Sequence, residues 1–266
     1  MSNPVRNSRA TSANSDIKDW TREYERKGNP AFFAAALAEL RDAKPNGGEQ
    51  VFIGLVGSRD LPGVALRQAQ AVLRWDMRPS LWSDAFIVKP ADDVNASVEG
   101  ATIWGVPLHS RLPNFPRPER NGVSKGTLSL YADSTLHANV AILAVNIREG
   151  NEKKVLERLE DPNRDRGRYN FWDSLGVWQG YLWSFGTRPN PLRDGWPIPS
   201  SSFVEYCFEA IGLDMTPGAN ERNSAPEHIW NAARWWHDAY STQDMTVAGY
   251  SVWRDEGCSL QSADED

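Results

Sequence analysis

The chain has 266 residues, of which 40% are hydrophobic and 24% are charged. This balance is typical of a globular protein with enough apolar material for a substantial core, so disorder throughout the chain is excluded. The formal net charge of -6 argues against broad electrostatic binding to nucleic acid or to an anionic membrane. Neither class of partner is therefore expected.

Cofactor, metal and targeting signals are missing from the sequence. Cys207 and Cys258 lie far apart without ligand spacing, which predicts neither a disulfide framework nor a metal site. The glycines of residues 54–63 match no phosphate-binding pattern, so no nucleotide cofactor is expected. The amino terminus lacks a secretory apolar core, and no stretch is long enough to span a bilayer. We expect a cytoplasmic location.

The first half of the chain predicts a short helix and then a sheet. Residues 1–16 are polar and aperiodic, which predicts a flexible tail, and an extension follows at 17–50. Within it, Asn29 and Pro30 predict a helix start, and the glycines near residue 47 predict its end. Residues 64–75 have the periodicity of an amphipathic helix, and residues 112–122 have the composition of a loop. Strands are predicted at residues 51–57, 82–88, 101–108 and 139–147.

From residue 150 the apolar residues recur with helical periodicity, which predicts helices at 151–161, 169–185, 201–212 and 226–240. Ser202 with Glu205, and Ser224 with Glu227, each fit the capping box at a helix start. The main domain is predicted to span 51–240, with a carboxy-terminal extension at 241–266.

Tryptophan is abundant late in the chain, and most of it is expected in the core between helices. The adjacent residues Trp235 and Trp236 must point in different directions, so we expect one to be exposed and to bind a protein partner or a second copy of the chain. The late tryptophans are Trp172, Trp178, Trp183, Trp196, Trp230, Trp235 and Trp236.

Three segments together resemble a known family. The strand WSDAFIV, the strand ATIWGVPL and the helix segment PSSSFVEYCFEAIG occur in the order found in permuted papain-like proteins of the NlpC/P60 superfamily. The resemblance covers about residues 51–212. It implies an α+β fold with a small antiparallel sheet and a papain-like core packed against the Trp-rich helices. It also implies acyl chemistry by a thiolate at a helix amino terminus, assisted by a histidine.

This chain departs from the family at each chemical position. Asp84 stands where the resemblance implies histidine, Trp104 to Val106 stand where it implies the third polar residue, and Pro199 to Ser202 stand where it implies Cys-Ser. A serine hydroxyl is a weak nucleophile without a base, and a carboxylate of ordinary pKa is a poor base for an alcohol. We therefore expect a non-catalytic protein that binds or scaffolds within a larger assembly.

The alternative is an amidase, peptidase or acyltransferase that acts on a peptide or acyl ligand. Ser200 or Ser201 would be its nucleophile, and Asp84 or His137 its base. His109 offers one further route to a Ser/His pair.

Each candidate also has a structural interpretation. The serines fit helix capping, and Asp84 fits a hydrogen bond or an ion pair with Arg74 or Arg78. Alternation within its strand places Asp84 on the face of Trp82 and Phe86. Cys207 fits an apolar helix face. Cys258, in a polar stretch, fits a spectator role.

Overall fold

The computed structural model describes residues 28–42, 48–91, 100–106, 123–159, 176, 178–182, 199–220, 223–240 and 247–260. These residues form a mixed α+β fold around a six-stranded sheet whose neighbouring strands are all antiparallel, with the order β4-β3-β2-β1-β5-β6. The predicted α+β class with an antiparallel sheet is confirmed. The strands are β1 (Gly48–Ser58), β2 (Asp84–Lys89), β3 (Thr102–Gly105), β4 (Ser124–Thr127), β5 (His137–Arg148) and β6 (Val247–Trp253).

Helices cover both faces of the sheet. One face packs under α1 (Gly28–Asp42) and the 3-10 helix Leu128–Tyr131, and the other packs under the remaining helices. Those helices are α2 (Leu61–Ala69), α3 (Asn151–Leu159), α4 (Ser200–Glu209) and α5 (Pro226–Tyr240). No helix in the described ranges is long and apolar enough to cross a membrane.

Strands β1 and β5 form the centre of the sheet because both are apolar on two faces. In β1, Ile53 and Leu55 point into the core under α4 and α5, whereas Phe52 and Val56 point into the core under α1. A strand that is buried on both faces has a continuous apolar sequence rather than an alternating one. The run 139–147 predicts β5 for the same reason.

Helix α1 packs on the outside of the sheet, but its start differs from the predicted cap. The helix begins at Gly28, so Asn29 lies inside its first turn and is fully buried. Its Nδ2 donates to the carbonyls of Tyr131 and His137, each at 2.9 Å, and its Oδ1 accepts from Arg254 at 2.7 Å. Asn29 therefore ties α1 to the sheet instead of capping the helix.

Two strands were not predicted. Residues 247–253 form β6 at one edge of the sheet, beyond the predicted domain boundary at residue 240, and residues 124–127 form β4 at the other edge. Both are short segments with glycine or serine, so their sequences carry little strand signal. The predicted tail at 1–16, the loop at 112–122, most of the helix at 169–185, and Trp172, Trp183, Trp196 and His109 lie outside the described residues.

Candidate functional site

The helix that carries the candidate serines packs against strand β2. Phe203 and Val204 of α4 are buried in the same core as Ala85 and Ile87 of β2. Ser200, the first residue of α4, is fully buried, and its Oγ accepts a hydrogen bond from the N–H of Ala85 at 3.2 Å. The start of α4 therefore lies against the start of β2.

Asp84 lies at the same place along β2 but faces the other side of the sheet. It pairs with Val56, and it shares its face with Phe86, which packs under α1. Its Oδ1 accepts from the N–H of Ala85 at 2.9 Å, and its Oδ2 accepts from the hydroxyl of Tyr131 at 3.3 Å. Asp84 and Ser200 thus share one N–H donor while they approach it from opposite faces.

Two predictions concern the surroundings of Asp84: the strand face that it shares and its hydrogen-bond or ion-pair partner. Trp82 precedes β2 and packs in the core under α5, so only Phe86 shares the face of Asp84 as predicted. Arg74 forms its ion pairs with Asp76 at 2.9 Å and Glu227 at 3.5 Å rather than with Asp84. The structural hydrogen bond expected for Asp84 is provided by Tyr131.

His137, the alternative base, lies with Asp84 rather than with the serines of α4. It is buried at the start of β5, and its Nδ1 lies 3.0 Å from the Oγ of Ser58, its partner across the sheet. Its ring meets the ring of Tyr131 edge-on, with 5.0 Å between the centroids. Burial and the neighbouring Asp84 raise the pKa of Tyr131 well above its usual value, so Tyr131 is a neutral hydrogen-bond donor at pH 7.

Ser201 takes part in a buried polar network that connects α4 to the segment before α5. Its Oγ donates to the carbonyl of Ser224 and lies 3.4 Å from the hydroxyl of Tyr181. The Oγ of Ser224 in turn lies 2.7 Å from Oγ1 of Thr216. Thr216 donates to Oε2 of Glu205 at 3.3 Å. These hydroxyls act as structural connectors between elements.

Neither predicted capping box is formed. Helix α4 begins at Ser200 with Pro199 at its N-cap, so Ser202 lies inside the first turn. Glu205 instead points to Thr216, and burial, with the nearby Asp214, raises its pKa to about 8. At the start of α5 the N–H of Ala225 donates to Nδ1 of His228 at 3.1 Å. Histidine therefore accepts a backbone hydrogen bond at the helix start, the role that was predicted for Glu227. Burial lowers the pKa of His228 to about 4, which leaves this ring neutral and able to accept.

The two cysteines are both buried, and neither forms a disulfide within the described part of the chain. Cys207 lies in the core under α4, as expected from its apolar helix face. Cys258, for which the sequence predicts a spectator role, is buried, and its Sγ donates to the carbonyl of Val64 at 3.5 Å. Burial raises the pKa of this thiol, so it is a poor thiolate source.

Trp235 and Trp236 have different environments, as the sequence predicted. Trp235 is 58% exposed, whereas Trp236 is partly buried against the core. A second exposed aromatic residue, Trp75, was not predicted; it is 95% exposed. The nearby Met77 is 63% exposed. The helix predicted at residues 64–75 ends earlier in the structure: α2 ends at Ala69 and a 3-10 turn ends at Leu73, after which Met77 adopts a φ of 54°.

A small cavity is lined by chain neighbours of the exposed residues Trp75, Met77 and Trp235. It has a volume of about 70 Å³ and lies between the turn at residues 74–79, helix α5 and strand β6. Trp75 and Met77 lie between two of its lining residues in the chain, and Trp235 directly follows a third. The lining residues are Arg74, Arg78, Pro79, Leu81, Trp230, Arg234, Trp253 and Glu256.

A larger cavity of about 580 Å³ lies beside α3 and is lined in part by Lys89, Trp104 and Glu152. Neither Ser200 nor Asp84 is among the described residues that line it. Within the described part of the chain, no group of three or more His, Cys, Asp or Glu residues could hold a metal ion. A comparison with protein-family models, curated proteins and solved structures finds no match for this chain.

Proposed function

We propose that the chain is a non-catalytic binding or scaffold protein with a papain-like core, and that it acts in a larger assembly. The position of α4 against β2 supports the papain-like part of the proposal, because the resemblance implies that a helix beginning at the nucleophile position packs against the strand that carries the base position. The observation that supports binding is the exposure of Trp75, Met77 and Trp235, whose neighbours in the chain line one cavity.

The arrangement of the candidate catalytic residues supports the non-catalytic part of the proposal. Ser200 and Ser201 are fully buried, and the carboxylate of Asp84 faces the opposite side of the sheet. The imidazole of His137 is bonded to Ser58. A serine nucleophile needs a base within hydrogen-bond reach of its hydroxyl, and neither candidate base is placed in this way for α4.

The exposed aromatic residues favour a protein partner. An indole buries a large apolar area on association, and exposed tryptophans are enriched among the residues that dominate binding energy. Trp75 is solvated on nearly all its surface, so it contributes little to its own fold. A partner that covers Trp75, Met77 and Trp235 would bury this area. We call these three residues the aromatic surface.

Site-specific photocrosslinking tests the binding function. A photoreactive residue at position 77, in the full chain expressed in its native host, should give a defined adduct with a protein partner or a second copy. The same residue at position 153, where the Lys153 side chain is 82% exposed on α3, is the control and should give none. Trp75→Ala with Trp235→Ala should reduce the yield at position 77 by about 30-fold or more, since truncation of even one hot-spot residue costs about 2 kcal/mol.

An undiminished adduct in the double variant, or equal adducts at positions 77 and 153, would refute the aromatic surface as a binding site. The serine-hydrolase alternative is tested separately with a fluorophosphonate probe on the wild type. Labelling that is lost in Ser200→Ala or Ser201→Ala would show an active nucleophile and overturn the non-catalytic assignment.

A further inference from the structure

We infer that the small cavity beside the aromatic surface receives the carboxylate of an acidic side chain on the bound partner, an assignment that rests on the proposed function. Within the described ranges, two guanidinium groups and one buried indole N–H at this cavity form no side-chain hydrogen bond or ion pair, and their juxtaposition with the exposed tryptophans supports the inference.

The charged groups of the cavity are not equally available. Arg74 is held by Asp76, whose pKa it lowers, and by Glu227. In the described part of the chain, Arg78 and Arg234 form no side-chain hydrogen bond or ion pair. Guanidinium groups bind carboxylates through directed, charge-assisted hydrogen bonds, so these two are the donors left for a ligand.

The indole of Trp253 gives a second, independent observation. Its Nε1 is buried and has no hydrogen-bond partner among the residues that the structure describes. Buried donors are nearly always paired in folded proteins, and an unpaired one calls for an acceptor that occupies the site. Trp253 lines the cavity together with Trp230, and the two rings meet edge-on with 6.3 Å between their centroids.

Charge and size together favour a carboxylate. Glu256 also lines the cavity, and with Asp76 and Glu227 it balances the charges of Arg74, Arg78 and Arg234, so Arg78 and Arg234 supply hydrogen-bond donors without a net positive charge. Glu227 already accepts a hydrogen bond from Ser80 and forms an ion pair with Arg74. It acts on Arg234 only at longer range. A monoanion matches this balance better than a phosphate dianion does.

A cavity of about 70 Å³ admits a few water-sized groups, whereas whole small molecules occupy pockets of roughly 300 Å³ or more. It therefore fits the end of a side chain whose parent protein covers the surrounding surface.

An acetate titration followed by the indole resonance of Trp253 tests the cavity by itself. The resonance is assigned with Trp253→Phe, and chloride keeps the ionic strength constant. Acetate should shift this signal saturably in the wild-type chain. Arg78→Gln with Arg234→Gln should raise the half-saturation concentration about tenfold or more, because the change removes the charge-assisted hydrogen-bond donors of the cavity. Arg148→Gln, at the exposed end of β5, is the matched control and should change nothing.

A missing or non-saturating shift, an unchanged titration in the double arginine variant, or tighter binding of inorganic phosphate would overturn the inference. The crosslink at position 77 separates this failure from that of the proposed function. Partner capture that persists fully in the double arginine variant retains the binding function and rejects the carboxylate contact. Loss of both partner capture and acetate binding in the double arginine variant confirms the carboxylate contact.

Discussion

Replacing Arg67 with methionine should release the carboxy-terminal segment from the body of the protein. Arg67 on α2 is fully buried, and its Nε donates to the carbonyl of Ser80 at 2.9 Å. Its two terminal nitrogens donate to Asp255, one to Oδ2 at 2.7 Å and the other to the carbonyl. Arg67 therefore joins α2 to the segment that follows β6.

The expected loss is large because the change leaves a buried carboxylate without its partner. Removing one member of a buried ion pair costs about 3–5 kcal/mol, a substantial part of the roughly 5–15 kcal/mol by which a domain is stable. Burial opposes ionisation of Asp255, but hydrogen bonds from Ser259 and Arg67 prevail and lower its pKa. The stabilisation by this pair is therefore present above about pH 4 and is lost on acidification through the folded-state pKa.

The two cysteines report whether the loss is local or global. Cys258 lies in the released segment, whereas Cys207 lies in the core. In native buffer, Arg67→Met should expose Cys258 to a thiol reagent while Cys207 stays protected, and urea unfolding should give the free-energy change. Lys153→Met breaks an exposed pair with Glu157 and should change stability by less than about 1 kcal/mol.

Equal labelling rates for the two thiols in Arg67→Met would show that the segment does not open on its own. A stability change as small as that of the Lys153 control would refute the assigned role of the buried pair.

Two further predictions concern stability. The pKa of Glu205 is raised to about 8 from a usual 4.5, so the folded state retains a proton that the unfolded state loses, and stability should fall as pH rises between these values. Urea midpoints should decline more steeply from pH 5 to 8 for the wild type and Glu157→Gln than for Glu205→Gln, because only the last variant lacks the raised carboxyl pKa; a parallel decline in all three would contradict this. Gly57→Ala should cost about 1–3 kcal/mol, since its Cβ would lie 1.9 Å from the carbonyl oxygen of Leu81, whereas Gly257→Ala meets nothing within 4 Å. Similar thermal midpoints for these two variants would refute the close packing at Gly57.

The sequence by itself determined the elements whose buried faces follow from the local spacing of apolar residues. The apolar runs that became β1 and β5 are continuous because both faces of each strand are covered, and the amphipathic repeat of α5 follows from one-sided packing. Cys207 was placed in the core, and the different environments of Trp235 and Trp236 were predicted, because the geometry of one helix suffices for both.

Only the tertiary structure decided which polar groups meet. Asp84 and Ser200 lie on opposite faces of β2, and His137 pairs with Ser58 across the sheet, although no spacing in the chain indicates either relation. Trp75 was included in a helix that ends before it, and the partners of Arg67 come from residues far along the chain. Local periodicity records which side of an element is buried, whereas strand register and long-range pairing depend on the free energy of the whole packed chain.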